Sequence, residues 1–287
     1  MQSSNLNTVV ENNSTNDNVL AKLRGRKMHL SPALMKVAEY VIKEPQKVIH
    51  QTLVELADRS GSSEASVVRF CRDVGYSSFA AFKIDLSISL LRESPQIDDS
   101  DSDCVKNSLA KTINSLNDTA SLLDRAVLDQ TVKLLGRADN IYFFGVGASA
   151  AIAAYGEYRM MRLGLKTRAL TDMHSAVMTA SCMSNKDVIV LVSGSGSTAD
   201  IINAAYKAKR QDGCIIAITG NTHSELASLA SFSLHTAVSE SPFSAGAFYS
   251  KAAQMFVIDL MANGILNTFP RMKDSVARTA EAIFSKQ

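Results

Sequence analysis

A chain of 287 residues with 46% hydrophobic content is long enough for two modest cores and has the composition of a globular protein. A net charge of +2, no apolar run of membrane-spanning length and a polar start argue against a membrane or secreted protein and for a cytoplasmic one. The four cysteines, Cys71, Cys104, Cys182 and Cys214, are scattered without a Cys-x-x-Cys pair, and none of them nor of the five histidines sits in a metal-ligand spacing, so neither a disulfide framework nor a metal site is expected; no cofactor is expected either.

Met1 to about Leu20 is rich in Asn, Ser and Thr and reads as a disordered tail. Residues 21–92 follow as a module of short helical segments. Between Lys22 and Arg92 there are twelve Lys/Arg and seven Asp/Glu, a net of +5, while the rest of the chain carries a net of −3. A basic module on a slightly acidic body suits a nucleic-acid reader, and an ordinary solvated surface is the alternative.

Within this module Thr52 precedes Leu53-Val54-Glu55-Leu56-Ala57, and Glu55 at the third position completes a capping box. Gly61 breaks that helix, and Ser62 or Ser63 caps a second one running from Glu64 through Val74. In the second helix Val67, Val68 and Cys71 are expected to face inward, leaving Ser66, Arg69 and Arg72 outside. Two short helices around a Gly-containing turn make a helix-turn-helix, whose second helix enters the major groove with its N-terminal end, here Ser62, Ser63 and Ser66, toward the DNA. Arg69 is placed to read guanine or grip a phosphate, and Arg72 and Lys83 to contact phosphates. A plain helical bundle with solvated arginines is the competing reading.

Glu93 to Cys104 is acidic, polar and contains Pro95, as a linker does. Residues 105–287 begin with a helical stretch and then alternate strand and helix, which predicts a mostly parallel sheet covered on both faces. Two strand-like runs, Ile141–Phe144 and Val188–Val192, each lead into a hydroxyl-rich glycine loop, Gly145-Val146-Gly147-Ala148-Ser149 and Ser193-Gly194-Ser195-Gly196-Ser197-Thr198. Glycines let the backbone approach a ligand, hydroxyls donate to it, and the helix start beyond favours an anion. Two such loops in successive units suggest a small phosphorylated polyol held between them.

The first loop also fits a dinucleotide fingerprint ending in alanine, with Asp172 as the ribose-binding acid, but that reading leaves the second loop without a purpose. Isomerase chemistry would need a base, for which Glu240, His174, His223 and His235 qualify by residue type. The default for His235 is a satisfied, partly buried histidine, and for His223 a solvated loop residue. Met160, Met161 and Leu163 are expected to pack on the sheet. Ala252–Met261, with Met255, Phe256 and Ile258, is either core or an oligomer seam.

Leu30-Ser31-Pro32, Lys36-Val37-Ala38-Glu39-Tyr40-Val41-Ile42, Glu44-Pro45, Leu56-Ala57, Ser66-Val67-Val68-Arg69-Phe70-Cys71-Arg72, Gly75-Tyr76-Ser77-Ser78-Phe79 and Phe82-Lys83 succeed one another in an order that closely resembles the DNA-binding half of the RpiR (MurR/RpiR) transcription regulators. The region from about Leu128 to Leu260 is similar to their sugar isomerase (SIS) domain. The resemblance implies an α/β protein overall, an all-α helix-turn-helix domain followed by a three-layer α/β SIS domain with a mostly parallel sheet. It implies a non-enzymatic regulator of carbohydrate genes, usually a repressor, that binds operator DNA as a homodimer or homotetramer and senses a phosphosugar; a sugar-phosphate isomerase with an appended helical domain is the alternative. By matching positions, Ser149, Ser193, Ser195, Ser197 and Thr198 would hold the phosphate, Gly145, Gly147 and Gly196 would give the close backbone approach, and Glu240 would lie near the sugar. Many relatives have Glu-Arg where this chain has Leu34-Met35, so contacts there do not carry over. Relatives often have larger side chains at the positions of Gly194 and Ser197, which leaves the sugar's identity open.

Overall fold

The computed structural model describes residues 19–26, 30–93, 103–237 and 246–284. The chain forms two compact units, Met1–Ile97 and Asp98–Gln287, each taken by itself below. Among the described residues no helix is long and apolar enough to cross a membrane.

The first unit is all helical: α1 (Val19–Arg26), α2 (Pro32–Lys43), α3 (Pro45–Val48), α4 (Leu53–Ser60), α5 (Glu64–Asp73) and α6 (Phe79–Glu93). Val19 and Leu20, assigned by composition to the tail, instead open α1 and are buried, and the Val19 amide donates to Ser89 Oγ in α6 at 3.1 Å. Prolines at the start of α2 and α3 fit positions whose amides have no helical acceptor. The core joins Val37 and Val41 of α2, Leu56 of α4, Val67, Phe70 and Cys71 of α5, and Phe82 and Leu86 of α6. Phe70 and Phe82 meet edge to face, with ring centroids 5.4 Å apart. Val68, expected inside, is only half-buried; Phe70, three residues after Val67, takes the inward place.

The second unit opens with α7 (Cys104–Leu122) and α8 (Arg125–Leu135), both started by aspartate caps, Asp103 and Asp124. Then β1 (Asn140–Gly145), α9 (Ala148–Arg162), β2 (Thr167–Leu170), α10 (Met173–Ser181), β3 (Asp187–Val192), α11 (Ala199–Arg210), β4 (Cys214–Thr219), α12 (Glu225–Leu229) and β5 (Phe232–His235) alternate, and α13 (Phe248–Thr268) and α14 (Met272–Phe284) follow. All five strands are parallel, in the order β2-β1-β3-β4-β5. Successive strand residues point to opposite faces, so the sheet feeds two cores. Phe143, Val190 and Ile218 pack with α8, α9 and α13, and Phe144, Leu191 and Ala217 pack with α10, α11 and α12.

Ile258 lies wholly inside, with Val257, Met261, Ala262 and Ile265, whereas Met255 and Phe256 are half-buried. Met160 and Leu163 pack as expected, but Met161, turned about 100° around α9 from Met160, points outward and is 51% exposed.

Candidate functional site

The chain leaves β1 toward β2 on one side and returns to β3 on the other, so the strand order reverses between β1 and β3. In parallel α/β sheets such a reversal opens a crevice at the carboxyl ends of the two strands, where ligands bind. Gly145 at the end of β1 pairs in register with Val192 at the end of β3, so the two hydroxyl-rich loops leave the sheet side by side at that crevice.

Each glycine has its own reason. A Cβ on Gly145 would collide with the Ser149 backbone, which α9 brings close. Gly147 has φ 60 and ψ −129, a conformation that side chains resist. Gly196 has φ +64, and a Cβ there would strike Ser224.

The hydroxyls divide by burial. Ser149 is buried in the first turn of α9, and its Oγ accepts a hydrogen bond from Lys251 Nζ at 3.2 Å. Ser193 is also buried; its Oγ accepts from the Gly196 amide at 3.1 Å and shares a hydrogen bond with Thr198 Oγ1 at 3.1 Å. Ser195 and Ser197 are exposed, bonded to each other through their hydroxyls at 3.2 Å. The second loop is anchored from β4 and α12: the Gly220 amide donates to the Gly194 carbonyl and the Leu226 amide to the Gly196 carbonyl.

Sequence motifs did not single out Lys251 and Gln254. Both sit at the start of α13, buried, with Lys251 Nζ donating to Gln254 Oε1 at 3.3 Å and the Gln254 Nε2 without a partner among the described residues. Their signal is tertiary, because Lys251 reaches Ser149 across 102 residues. The helix caps complete the picture. α10 and α12 have side-chain caps, Asp172 and Ser224, whereas α9, α11 and α13 have none. Both α9 and α11 therefore start at the two loops and add partial positive charge beside a buried lysine, although at α9 the Ser149 amide already donates to the Val146 carbonyl and the Ala150 amide to that of Gly147.

The rival site residues are placed elsewhere or otherwise engaged. The Asp172 carboxylate accepts from the Ser175 amide at 2.9 Å, and this bond holds its pKa below the usual value; it caps α10 rather than standing ready for a ribose. His174 and His223 are exposed. His235 ends β5 half-buried, as expected, and its Nδ1 has no partner among the described residues. Burial pushes its pKa down, against a backbone hydrogen bond with Thr219. Glu240 lies outside the described residues.

In the first unit the expected turn forms in full. Thr52 Oγ1 accepts from the Glu55 amide at 3.2 Å while Glu55 Oε2 accepts from the Thr52 amide at 2.7 Å. Gly61 has φ 63 and ψ 40, and the Ser63 hydroxyl caps α5 by accepting from the Ser66 amide. Ser63 and Ser66 share a hydroxyl hydrogen bond, and so do Ser60 and Ser62, so these serines shape the turn. Arg69 and Arg72 stand exposed on α5. Lys83 differs from expectation: its ammonium donates to the Gln51 carbonyl at 2.9 Å and lies 5.2 Å from the centroid of the Phe79 ring. Burial there lowers its pKa, with Glu55 opposing. Arg26, not singled out from sequence, donates from Nη1 to the Asp73 carbonyl at the end of α5.

Comparisons with known proteins agree with this division. Residues 17–93 match the family model described as a helix-turn-helix domain of the rpiR family, and residues 134–264 match the SIS domain. The chain is 31% identical over 281 residues to the HTH-type transcriptional regulator HexR of Escherichia coli (strain K12), covering 94% of this chain and 97% of that one. It is 30% identical over 254 residues to HexR of Pseudomonas aeruginosa, covering 86% and 89%. Among solved structures, the Vibrio vulnificus NanR protein complexed with ManNAc-6P superposes with a TM-score of 0.86 at 36% identity, covering 94% of this chain and 99% of NanR.

Proposed function

Because this chain belongs to the RpiR family of helix-turn-helix transcriptional regulators with a SIS domain, we propose that the crevice between β1 and β3 is its effector site and that the effector is a phosphorylated sugar. The observation that carries this reading is the meeting of two hydroxyl-rich loops, the uncapped starts of α9 and α11 and the Lys251 ammonium around one crevice. Exposed Ser195 and Ser197 would hold the phosphate together with the start of α11, and Ser193 and Thr198 would fix the loop's shape. Lys251, beside Ser149, would balance the charge, and Gln254 would give its unpartnered amide to the sugar. The likeness to NanR makes N-acetylmannosamine 6-phosphate the first compound to try.

The protein would act in the cytoplasm as a non-enzymatic repressor of carbohydrate genes. Arg69 and Arg72 would face operator DNA, and a homodimer or homotetramer would place two recognition helices on paired half-sites. The effector would act through unequal affinity for two arrangements of the protein, since only differential binding shifts such an equilibrium. Thermal unfolding of the full chain with hexose and amino-sugar phosphates, beside the unphosphorylated sugars, tests this. One phosphosugar should raise stability by about 2.7 kcal/mol at a hundredfold excess over Kd, and its free sugar should not. Equal stabilisation by the free sugar, or turnover of the phosphosugar to its isomer, would overturn the reading.

A further inference from the structure

At the amino ends of the strands, opposite the hydroxyl-rich loops, lies a second concavity of about 460 Å³. The turn entering β1, the turn entering β2 and the start of α14 frame it. Arg137, Lys166, Arg271 and Arg278 line it against a single carboxylate, Asp139, for a formal charge of +3. None of the four cations forms an ion pair with a described residue. The second unit as a whole holds eighteen basic and eighteen acidic residues and no net charge, so this concentration is local.

The cavity's shape depends on two glycines. Gly164 has φ +78, and a Cβ there would press on the Ser275 side chain; a Cβ on Gly136 would press on the Phe269 ring. Their bareness lets α14 and the turn before it close on both strand-entry turns and bring the four cations around one space. Leu163 and Met272, both buried, give that space an apolar floor. The first-turn amides of α14 are already used, since Met272 donates to the Phe269 carbonyl and Lys273 to that of Pro270, each at 3.0 Å. Recognition therefore falls to side chains. Guanidinium groups present paired donors that match phosphate oxygens. Arg278 is partly oriented, its Nη2 donating to Ser275 Oγ at 3.0 Å.

The geometry points to a binding site for a small soluble molecule carrying two linked phosphate groups. One phosphate monoester brings at most about two negative charges and would leave the cavity positive, whereas a diphosphate at roughly three matches it. The volume also lies within the range of about 300–1,000 Å³ common for small-molecule sites.

Calorimetry on the full chain with inorganic pyrophosphate and orthophosphate tests the proposal. The proteins are the wild type, Ser195→Ala/Ser197→Ala, Arg271→Gln/Arg278→Gln and Lys166→Gln. Pyrophosphate should bind the wild type and the serine variant alike, at least about tenfold more tightly than orthophosphate. Lys166→Gln should weaken it roughly tenfold and the arginine pair roughly a hundredfold, in keeping with hydrogen bonds to charged groups. All these changes are at exposed side chains, so unaltered unfolding curves without ligand are expected. Loss of binding in the serine variant with retention in the arginine variant would move the anion to the crevice and overturn the proposal. No binding to the wild type, or no preference over orthophosphate, would do the same. So would arginine changes that weaken duplex DNA binding and leave pyrophosphate untouched, which would assign these charges to DNA.

Discussion

Ser193 is buried and ties its loop to Gly196 and Thr198, whereas Ser195, two residues on, is exposed and reaches only Ser197. Ser193→Ala should lower stability by about 0.5–1.5 kcal/mol in urea unfolding, because it removes the hydroxyl's bonds to Gly196 and Thr198 while the Gly196 amide keeps the Ser193 carbonyl. Ser195→Ala should stay within about 0.5 kcal/mol of wild type without effector and lose most of the effector-induced rise in Tm. Equal loss of apo stability in both variants would deny the division of labour between them. Thiol labelling offers a separate check. Burial pushes the Cys71 thiol up to about 12, while Cys104 and Cys182 are exposed. The native protein should therefore label at Cys104 and Cys182 and release Cys71 only on unfolding. His235 sets a pH limb. Its folded pKa lies below the unfolded value of 6.5, so its contribution is complete above about pH 6.5 and is lost as pH falls through the folded pKa. His235→Gln should flatten the loss of Tm between pH 7.5 and 5.5.

Among the elements, what the chain spells locally was legible and what it assembles across distance was not. Thr52, Glu55, Gly61 and Ser63 carry the first turn within twelve consecutive positions, Thr52 to Ser63, and the structure forms it from those same residues. The alternating strands and both loops were legible for the same reason, since each loop is continuous in sequence. Val68 was misplaced because an inward face was drawn through neighbours, while the helix repeat carries it from Val67 to Phe70 and Cys71. Lys83 reads as a phosphate contact until the Gln51 carbonyl, 32 residues away, accepts a hydrogen bond from its ammonium. Lys251 belongs to no motif and gains meaning only when α13 folds against α9. Caps give a prediction at this scale. Thr52→Ala and Asp172→Ala should each cost about 1 kcal/mol in chemical denaturation, since both residues satisfy helix amides. Thr198→Ala should cost less through the helix, because Thr198 does not cap α11 with its side chain.

Across the whole molecule, charge falls differently from a basic module on an acidic body. The three-charge acidic excess outside Lys22–Arg92 comes from Glu11, Asp17 and Glu93, so the second unit itself is neutral. Attraction to DNA is then expected from the first unit and should weaken steeply with salt. If Arg72 meets a phosphate, Arg72→Ala should reduce the salt slope of binding by about one and weaken all sequences alike. If Arg69 reads a base edge, Arg69→Ala should cost about 1–3 kcal/mol on the operator and little on unrelated DNA. Titrations at several salt concentrations on operator and random duplexes separate the two.

The helix α13 runs for 21 residues, roughly 30 Å of rod. It begins with Lys251 and Gln254 at the crevice, and Phe269, the residue that ends it, lies against Gly136 at the wall of the cationic cavity. Between those ends Val257, Ile258, Met261, Ala262 and Ile265 are clamped in the core. If an anion at one end were to shift the helix, this shared packing is what would carry the shift from Lys251 toward Phe269. Two anions seated at its ends would then sense each other, and by thermodynamic reciprocity each would change the other's affinity by the same factor.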